Sequence, residues 1–281
     1  MSQALTPELR QWMREQAAAG FDRAAVLQAM RDAGWQRAVA EQALRDLWPS
    51  ADAVEPAEPS PPLVGSPGPD LSLAARQVDA GDRVVDVLVA MTHPPLVVFG
   101  NLLSEEECDA LVAAAEPRMS RSLTVETASG GEAVNADRTS QGMFFRRAEN
   151  PVVARVEARI ARLLRWPEDH GEGLQVLRYR PGAEYKPHYD YFDPAEPGTA
   201  HITSRGGQRV GTLVMYLNSP ERGGATTFPD LGLEVVPQRG HAVFFAYDKP
   251  HPSTRTLHGG APVLAGVKWV ATKWLRERVF Q

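Results

Sequence analysis

The feature that most constrains the fold is a succession of short apolar segments in the C-terminal part of the chain. They occupy positions 174–179, 188–192, 209–217, 240–247 and 267–275, and glycine- or proline-containing turns separate them. β-Branched and aromatic residues in runs of this length are typical of strands. With helical segments before them, these strands predict an α+β fold in which a curved sheet or barrel is flanked by helices.

The segments upstream of these strands have mixed patterns. Residues 95–116 begin as a short strand, and Ser104 with Glu107 then forms a capping box for a helix. A second amphipathic helix is predicted near 151–165, and part of 73–91 is predicted to be helical. Cys108, the only cysteine, lies in the apolar stripe of the first helix, which favours a buried core residue over a catalytic thiol.

A proline-rich segment at 49–70 divides the chain. It holds seven prolines and four acidic residues without a lysine or arginine, which predicts a stiff, extended, solvated linker. The predicted organisation is therefore a small all-α bundle at 1–48, the linker at 49–70 and a main domain at 71–281.

The N-terminal block is rich in helix formers and contains a near-repeat, with residues 20–32 aligning with 34–46. We expect three short helices and, from a faint resemblance over about 30 residues, a bundle of the ubiquitin-associated type that could dock a protein partner. The residues expected to pack it are Leu9, Trp12, Phe21, Val26, Met30, Trp35 and Leu44.

Composition excludes several classes of protein. The formal net charge of −5 argues against a dedicated nucleic-acid-binding protein. A single cysteine excludes an intramolecular disulfide framework and a cysteine-cluster zinc site. Because the sequence shows neither a long apolar run nor a signal-peptide pattern at its start, we expect a cytoplasmic protein without a membrane partner.

A histidine and a carboxylate two residues apart form the first candidate site. His188 and Asp190 lie in a strand-like stretch, so both side chains are expected on one face. A third ligand must come from elsewhere: His258 is the best placed, and His241 and His251 are the other candidates. Two histidines and one carboxylate with open positions are the ligand pattern of non-haem Fe(II) oxygenases.

Lys268 is the second candidate, ten residues after His258 and at the start of a strand. Strand parity places Lys268, Val270, Thr272 and Trp274 on one face. A buried lysine needs an anionic partner, and a dicarboxylate co-substrate would supply one.

Five motifs then identify a resemblance to a known family. The segments RTSQGMFF, QVLRYRPGAEYKPHYDYF, GGQRVGTLVMYL, GGATTFP and LHGGAPVLAGVKWVATKW resemble the prolyl 4-hydroxylases, which are iron- and 2-oxoglutarate-dependent dioxygenases. The match extends over about residues 95–276. It implies a double-stranded β-helix, or jelly roll, with Fe(II) held by His188, Asp190 and His258, and with Lys268 binding the distal carboxylate of 2-oxoglutarate.

The same resemblance implies further site residues. Tyr179, Thr226 and Trp274 match residues that bind the co-substrate or line its pocket, and Arg138, Ser140 and Arg209 match positions of the peptide-substrate groove. The sequence departs from the family pattern at Ala225, where a glutamate is common, and in the long segment 193–205. Both departures border the substrate side.

The implied activity is hydroxylation of a peptidyl proline at the 4-position, with succinate and CO₂ as co-products and with O₂ and ascorbate also required. One alternative is the same oxygenase chemistry on a different residue or on a small molecule. The other is a peptide-binding module that has lost turnover.

Overall fold

A computed structural model describes residues 23–33, 35–47, 65–72, 75–121, 124–126, 131–133 and 139–281. The chain divides into two compact units, Met1–Leu63 and Val64–Gln281. None of the described helices combines the length and the apolar character that a bilayer-spanning segment requires.

The smaller unit contains two described helices, α1 (Arg23–Asp32) and α2 (Arg37–Leu47). Val26, Met30 and Leu44 are buried between them, and Trp35 packs against this cluster. The expected first helix, with Leu9 and Trp12, lies outside the described residues, and so does Phe21.

The larger unit is built mainly from antiparallel strands. The strands are β1 (Gln77–Asp79), β2 (Val84–Thr92), β3 (Pro95–Gly100), β4 (Ser120–Arg121), β5 (Thr124–Glu126), β6 (Gly131–Ala133), β7 (Gln141–Phe145), β8 (Leu174–Tyr179), β9 (Tyr185–His188), β10 (Arg209–Tyr216), β11 (Arg222–Gly223), β12 (Thr226–Phe228), β13 (Leu233–Val235), β14 (Ala242–Ala246), β15 (His258–Gly260), β16 (Val263–Ala265) and β17 (Lys268–Arg276). Nine of them form one sheet in the order β1-β2-β3-β14-β10-β17-β8-β7-β4, and four form a second sheet in the order β13-β12-β15-β9. The pairs β11-β16 and β5-β6 form two small sheets.

Two helices cover one face of the nine-stranded sheet. The helix α3 (Glu105–Ala115) begins with the predicted capping box, in which Ser104 accepts from the backbone N–H of Glu107. The amphipathic helix α4 (Pro151–Leu164) follows Asn150, whose side chain accepts from the N–H of Val153. Both helices contribute to one apolar cluster with the sheet, and Cys108 is fully buried within it. A short helix, α5 (Thr199–Ser204), lies in the long segment noted above.

The opposite face of the nine-stranded sheet packs against the four-stranded sheet. Tyr216, Val243 and Phe245 of the large sheet share a buried cluster with Phe228 and Val235 of the small sheet. Two antiparallel sheets packed in this way, with few helices, are consistent with a jelly roll. The space between the sheets contains the candidate site.

The structure corrects two sequence-based predictions. Residues 73–91 contain no helix in their described part, because Val84, Val85 and Val87 belong to strand β2 and the preceding Gly81 forms a turn at φ 96°. The strand predicted at 188–192 is displaced, since β9 ends at His188 and the chain then bends. Asp190 therefore follows the strand and is not part of it.

Residues 65–70, at the end of the predicted linker, belong to the larger unit and pack against the rest of it. Pro67 is buried, and the N–H of Gly68 donates to the carbonyl oxygen of Leu164 at 2.8 Å. The rest of the predicted linker, 49–64, lies outside the described residues.

Candidate active site

The centre of the site is a pair of histidines on neighbouring strands. His188, the last residue of β9, is the register partner of His258, the first residue of β15, and the ring centroids are 4.4 Å apart. Gly259 allows the backbones to approach, since a Cβ at this position would lie 2.9 Å from the carbonyl oxygen of Tyr185. The strand pairing thus brings together two residues that are distant in sequence.

Asp190 completes a group of three possible metal ligands. Its Oδ1 lies 3.6 Å from His188 Nε2, and its Oδ2 lies 3.4 Å from His258 Nε2. Among the described residues this is the only such group of three, so His258 joins the other two whereas His241 and His251 do not. The His251 ring instead accepts a hydrogen bond from the N–H of Ser253 at 3.0 Å.

Backbone carbonyl groups fix the orientation of both histidine rings. His188 Nδ1 donates to the carbonyl oxygen of Lys186 at 2.9 Å, and His258 Nδ1 donates to that of Thr256 at 3.0 Å. Because each Nδ1 carries the hydrogen, each Nε2 of the neutral ring has a free lone pair directed at the centre of the group. Imidazoles held in this way are suited to a divalent metal ion.

The three side chains shift the pKa values of Asp190 and His188. Burial acts to raise the pKa of Asp190, but His258 and His188 outweigh it and hold this pKa well below its usual range. Burial, together with the neighbouring His258, lowers the pKa of His188. A carboxylate and two neutral imidazoles are the protonation states in which these residues bind metals.

Lys268 is buried on the opposite wall of the same cavity. Its side chain is 4% exposed, and its Nζ lies 5.4 Å from the centre of the Tyr179 ring and 5.9 Å from that of Tyr216. No carboxylate of the described residues forms an ion pair with it, and burial lowers its pKa to about 8. An ammonium group in such surroundings is stabilised by an anionic ligand.

The cavity between the sheets has a volume of about 450 Å³, part of it open to solvent. It is lined on one side by β8, β10 and β17 and on the other by β9, β12 and β15. Thr226 is buried in this lining and accepts a hydrogen bond from the hydroxyl of Tyr216 at 2.8 Å. The lining includes the three possible metal ligands together with Tyr179, Thr226, Lys268, Val270, Thr272 and Trp274.

The three expected substrate-groove residues lie in different surroundings. Arg138 is outside the described residues, and Ser140 is fully buried. Arg209 is also buried: it forms a two-point ion pair with Glu172, at 2.7 and 3.1 Å, and its guanidinium lies 4.1 Å from the centre of the Trp274 ring. A further bond from Arg209 Nη1 reaches the carbonyl oxygen of Asp190 at 3.3 Å.

Two residues of the site were not singled out from the sequence. Tyr185 stacks on the His188 ring with the centroids 3.7 Å apart. Thr212 is fully buried and donates to Asp190 Oδ2 at 2.7 Å. The sequence feature that could have pointed to Thr212 is a threonine within the mainly apolar segment VGTLVMYL.

The donor set fits a metal ion and a dicarboxylate in one cavity. His188, Asp190 and His258 supply two nitrogens and one oxygen, which suit Fe(II) and leave coordination positions open. Lys268 supplies a buried positive charge across the cavity, and no carboxylate in the described part of the chain pairs with it. The site can therefore hold an anionic co-substrate with one end near the metal ligands and the other at Lys268.

Comparison with known proteins places this site in context. Residues 174–276, which contain all three ligands and Lys268, match the family model described as the 2OG-Fe(II) oxygenase superfamily. Probable prolyl 4-hydroxylase 3 of Arabidopsis thaliana is 39% identical over 216 residues, covering 69% of this chain and 73% of that protein. Prolyl 4-hydroxylase 5 of the same plant is 38% identical over 222 residues, covering 72% of this chain and 74% of that protein.

A solved structure shows a similar fold. The viral collagen prolyl hydroxylase of Paramecium bursaria Chlorella virus 1, in its complex with 2-oxoglutarate, superimposes with a TM-score of 0.50 and 30% sequence identity. The similarity covers 64% of this chain and 95% of the viral chain.

Proposed function

Because this chain belongs to the prolyl 4-hydroxylase family of Fe(II)- and 2-oxoglutarate-dependent dioxygenases, we propose that it hydroxylates a proline at the 4-position in a peptide or protein substrate. In the overall reaction, proline, 2-oxoglutarate and O₂ give hydroxyproline, succinate and CO₂. The domain that performs it is proposed to be a jelly roll, which the two antiparallel sheets support.

One observation carries the proposal: the possible metal ligands and the buried Lys268 face one another in a single cavity. A group of metal ligands alone would also be compatible with a metal-dependent hydrolase, and a buried lysine alone would be compatible with many anion-binding sites. Together they match a metal ion and a dicarboxylate that must be bound side by side.

The protein's own residues bind and orient the reactants. His188, Asp190 and His258 would hold Fe(II), and Lys268 would pair with the distal carboxylate of 2-oxoglutarate. Tyr179, Thr226 and Trp274 form the neighbouring cavity wall. When bound, Fe(II) and 2-oxoglutarate supply the oxidation of an unactivated C–H bond by O₂, so that no side chain is needed as a general base.

Aromatic side chains in and beside the cavity lining support the proposal of a peptide substrate. Tyr185 is half-buried over the His188 ring, and Phe144, 45% exposed, lies 6.4 Å from Trp274 between ring centroids. Aromatic rings are the surfaces on which extended proline-containing segments pack in other recognition domains. Two classes of alternative substrate, another residue type or a free small molecule, would use the same iron and co-substrate.

Product analysis on a peptide panel tests the proposal. Proline-rich peptides, matched lysine peptides and free amino acids are incubated with Fe(II), 2-oxoglutarate and ascorbate, which we propose as the supporting reductant. The expected product is 4-hydroxyproline, found by amino-acid analysis of the proline peptides only. Hydroxylation of lysine or of a free amino acid instead would show that proline is not the substrate. Tight binding of Fe(II) and 2-oxoglutarate without turnover of any substrate would favour an inactive binding module.

A further inference from the structure

Asp190 is the one possible metal ligand that no strand positions. His188 and His258 are register partners in the β9-β15 ladder, whereas Asp190 lies in the bend after β9. Because Asp190 lies in a bend, the orientation of its carboxylate depends on hydrogen bonds from other segments of the chain. Its backbone carbonyl receives such a bond from Arg209 Nη1, but this bond leaves the side-chain torsions free.

The bond that restrains the carboxylate comes from Thr212. The Thr212 hydroxyl lies 2.7 Å from Asp190 Oδ2, and among the described residues it is the only hydroxyl that donates to this side chain. Thr212 itself is immobilised, since it is fully buried and its strand β10 lies between β14 and β17 in the nine-stranded sheet. The Asp190 carboxylate, which lies in a bend, is therefore held in place by a residue of the rigid central strand β10.

The single hydrogen of the Thr212 hydroxyl fixes the direction of its second hydrogen bond, the one with Tyr247. Thr212 Oγ1 also lies 3.0 Å from the hydroxyl oxygen of Tyr247, another buried residue. A threonine hydroxyl has one hydrogen, and an ionised carboxylate can only accept, so that hydrogen is directed to Asp190. Tyr247 must then donate to Thr212. The chain Tyr247–Thr212–Asp190 has one direction, and each bond polarises the next.

We infer that Thr212 is a positioning residue that orients the Asp190 carboxylate for metal binding, with Tyr247 supporting Thr212. Each ligand then has one fixed outer partner: a backbone carbonyl group for each histidine and the Thr212 hydroxyl for the aspartate. Outer partners of this kind orient metal ligands and tune their affinity. The inference rests on the proposed assignment of the metal site.

Thr212 also lines the cavity, so a role through Asp190 must be separated from direct contact with a bound molecule. Measuring the metal affinity in the absence of 2-oxoglutarate and peptide distinguishes these two roles. A residue that only contacts the co-substrate would leave that metal affinity unchanged.

The test measures Co(II) binding to the full-length protein by isothermal titration and by the visible absorption of the bound ion, without 2-oxoglutarate. Thr212→Val keeps the shape and removes the hydroxyl, Thr212→Ser keeps the hydroxyl, and Tyr247→Phe removes only the outer hydroxyl. His258→Ala is the control that removes a ligand. Circular dichroism verifies the fold, and Thr212→Ala serves as the second hydroxyl-free variant if Thr212→Val does not fold.

We expect Thr212→Val to bind Co(II) about 10–100-fold more weakly than the wild type and with altered absorption bands. Thr212→Ser should restore both the affinity and the bands, and Tyr247→Phe should lose less affinity than Thr212→Val. Wild-type affinity and bands in Thr212→Val would overturn the inference while leaving the metal site intact. Equal Co(II) binding by the wild type and His258→Ala, or none by the wild type, would instead overturn the metal-site assignment and with it this inference.

Discussion

At the scale of single residues, His188 and His258 meet because their backbones are register partners in adjacent strands. The HYD motif, the position of Lys268 and the family resemblance are visible in the sequence, so the candidate ligands and the lysine could be proposed from it. Thr212 could not, because a threonine in an apolar strand has no distinctive motif. Its proximity to Asp190 depends on how the bend after β9 meets the central strand β10.

The pKa of Lys268 predicts a pH dependence of co-substrate binding. Burial lowers this pKa to about 8, so Lys268 is positively charged below pH 8 and increasingly neutral above it. Since the charged form pairs with a carboxylate, the apparent Kd for 2-oxoglutarate should be nearly constant below pH 7, about double between pH 7 and pH 8, and rise about fivefold between pH 8 and pH 9. Titration of the Mn(II)-loaded protein with 2-oxoglutarate measures this.

Lys268→Arg and Lys268→Ala are the matched variants for this measurement. An arginine does not titrate in this range, so its affinity, whatever its absolute value, should lose the rise above pH 8. Lys268→Ala should bind 2-oxoglutarate much more weakly at every pH. An identical rise in Lys268→Arg would show that another group controls the pH dependence.

At the scale of elements, prediction from the sequence succeeded where one local signal dominates. The capping box at Ser104 and the apolar stripe of α4 identify their helices correctly. The prediction of a helix failed over 75–91, the described part of that segment, where β-branched residues follow helix formers and pairing with β3 stabilises the strand β2. It also misplaced the strand around His188, because the end of β9 depends on pairing with β15.

A buried ion pair connects α4 to the nine-stranded sheet. Lys273 of β17 contacts Glu157 of α4, with side-chain exposures of 2% and 0%. Removing one partner leaves an uncompensated buried charge, so Glu157→Leu should lower the free energy of unfolding by about 3–5 kcal/mol. Urea denaturation followed by circular dichroism measures the change.

The double variant Glu157→Leu/Lys273→Met is the control for this pair. It removes both charges and keeps apolar volume, so it should recover part of the lost stability. Recovery stays incomplete because Lys273 also donates to the carbonyl oxygen of Glu172, and Glu157 also accepts from the N–H of Ala148. A double variant less stable than Glu157→Leu alone would contradict this account.

At the scale of the whole molecule, the proline-rich composition predicts a small bundle, a linker and a main domain, and the chain divides into the compact units Met1–Leu63 and Val64–Gln281. The composition alone could not show that residues 65–70 belong to the larger unit. Their contacts, the burial of Pro67 and the bond from Gly68 to Leu164, come from tertiary packing.

Two truncations test this organisation. A protein starting at residue 64 should keep the wild-type kcat/KM on short peptides, because every site residue lies beyond this point. A protein starting at residue 71 loses the Pro67 and Gly68 contacts and should melt about 3–6 °C lower. Equal melting temperatures for the two would show that residues 65–70 contribute no stability.

The first truncation also tests docking by the N-terminal bundle. If the bundle recruits the substrate, the protein starting at residue 64 should act less efficiently on a full-length substrate than on a short peptide, relative to the wild type. An equal loss on both would refute recruitment.

The central claim is that this chain couples 2-oxoglutarate turnover to proline hydroxylation at the His188–Asp190–His258 site. The most direct measurement is a reaction under ¹⁸O₂ with Fe(II), 2-oxoglutarate and a proline-rich peptide, with mass spectrometry of peptide and succinate. We predict one ¹⁸O atom in hydroxyproline and one in succinate, in equal amounts, and neither product with His188→Ala or His258→Ala. Undiminished labelled hydroxyproline from the His188→Ala protein, or hydroxylation without succinate, would contradict the claim.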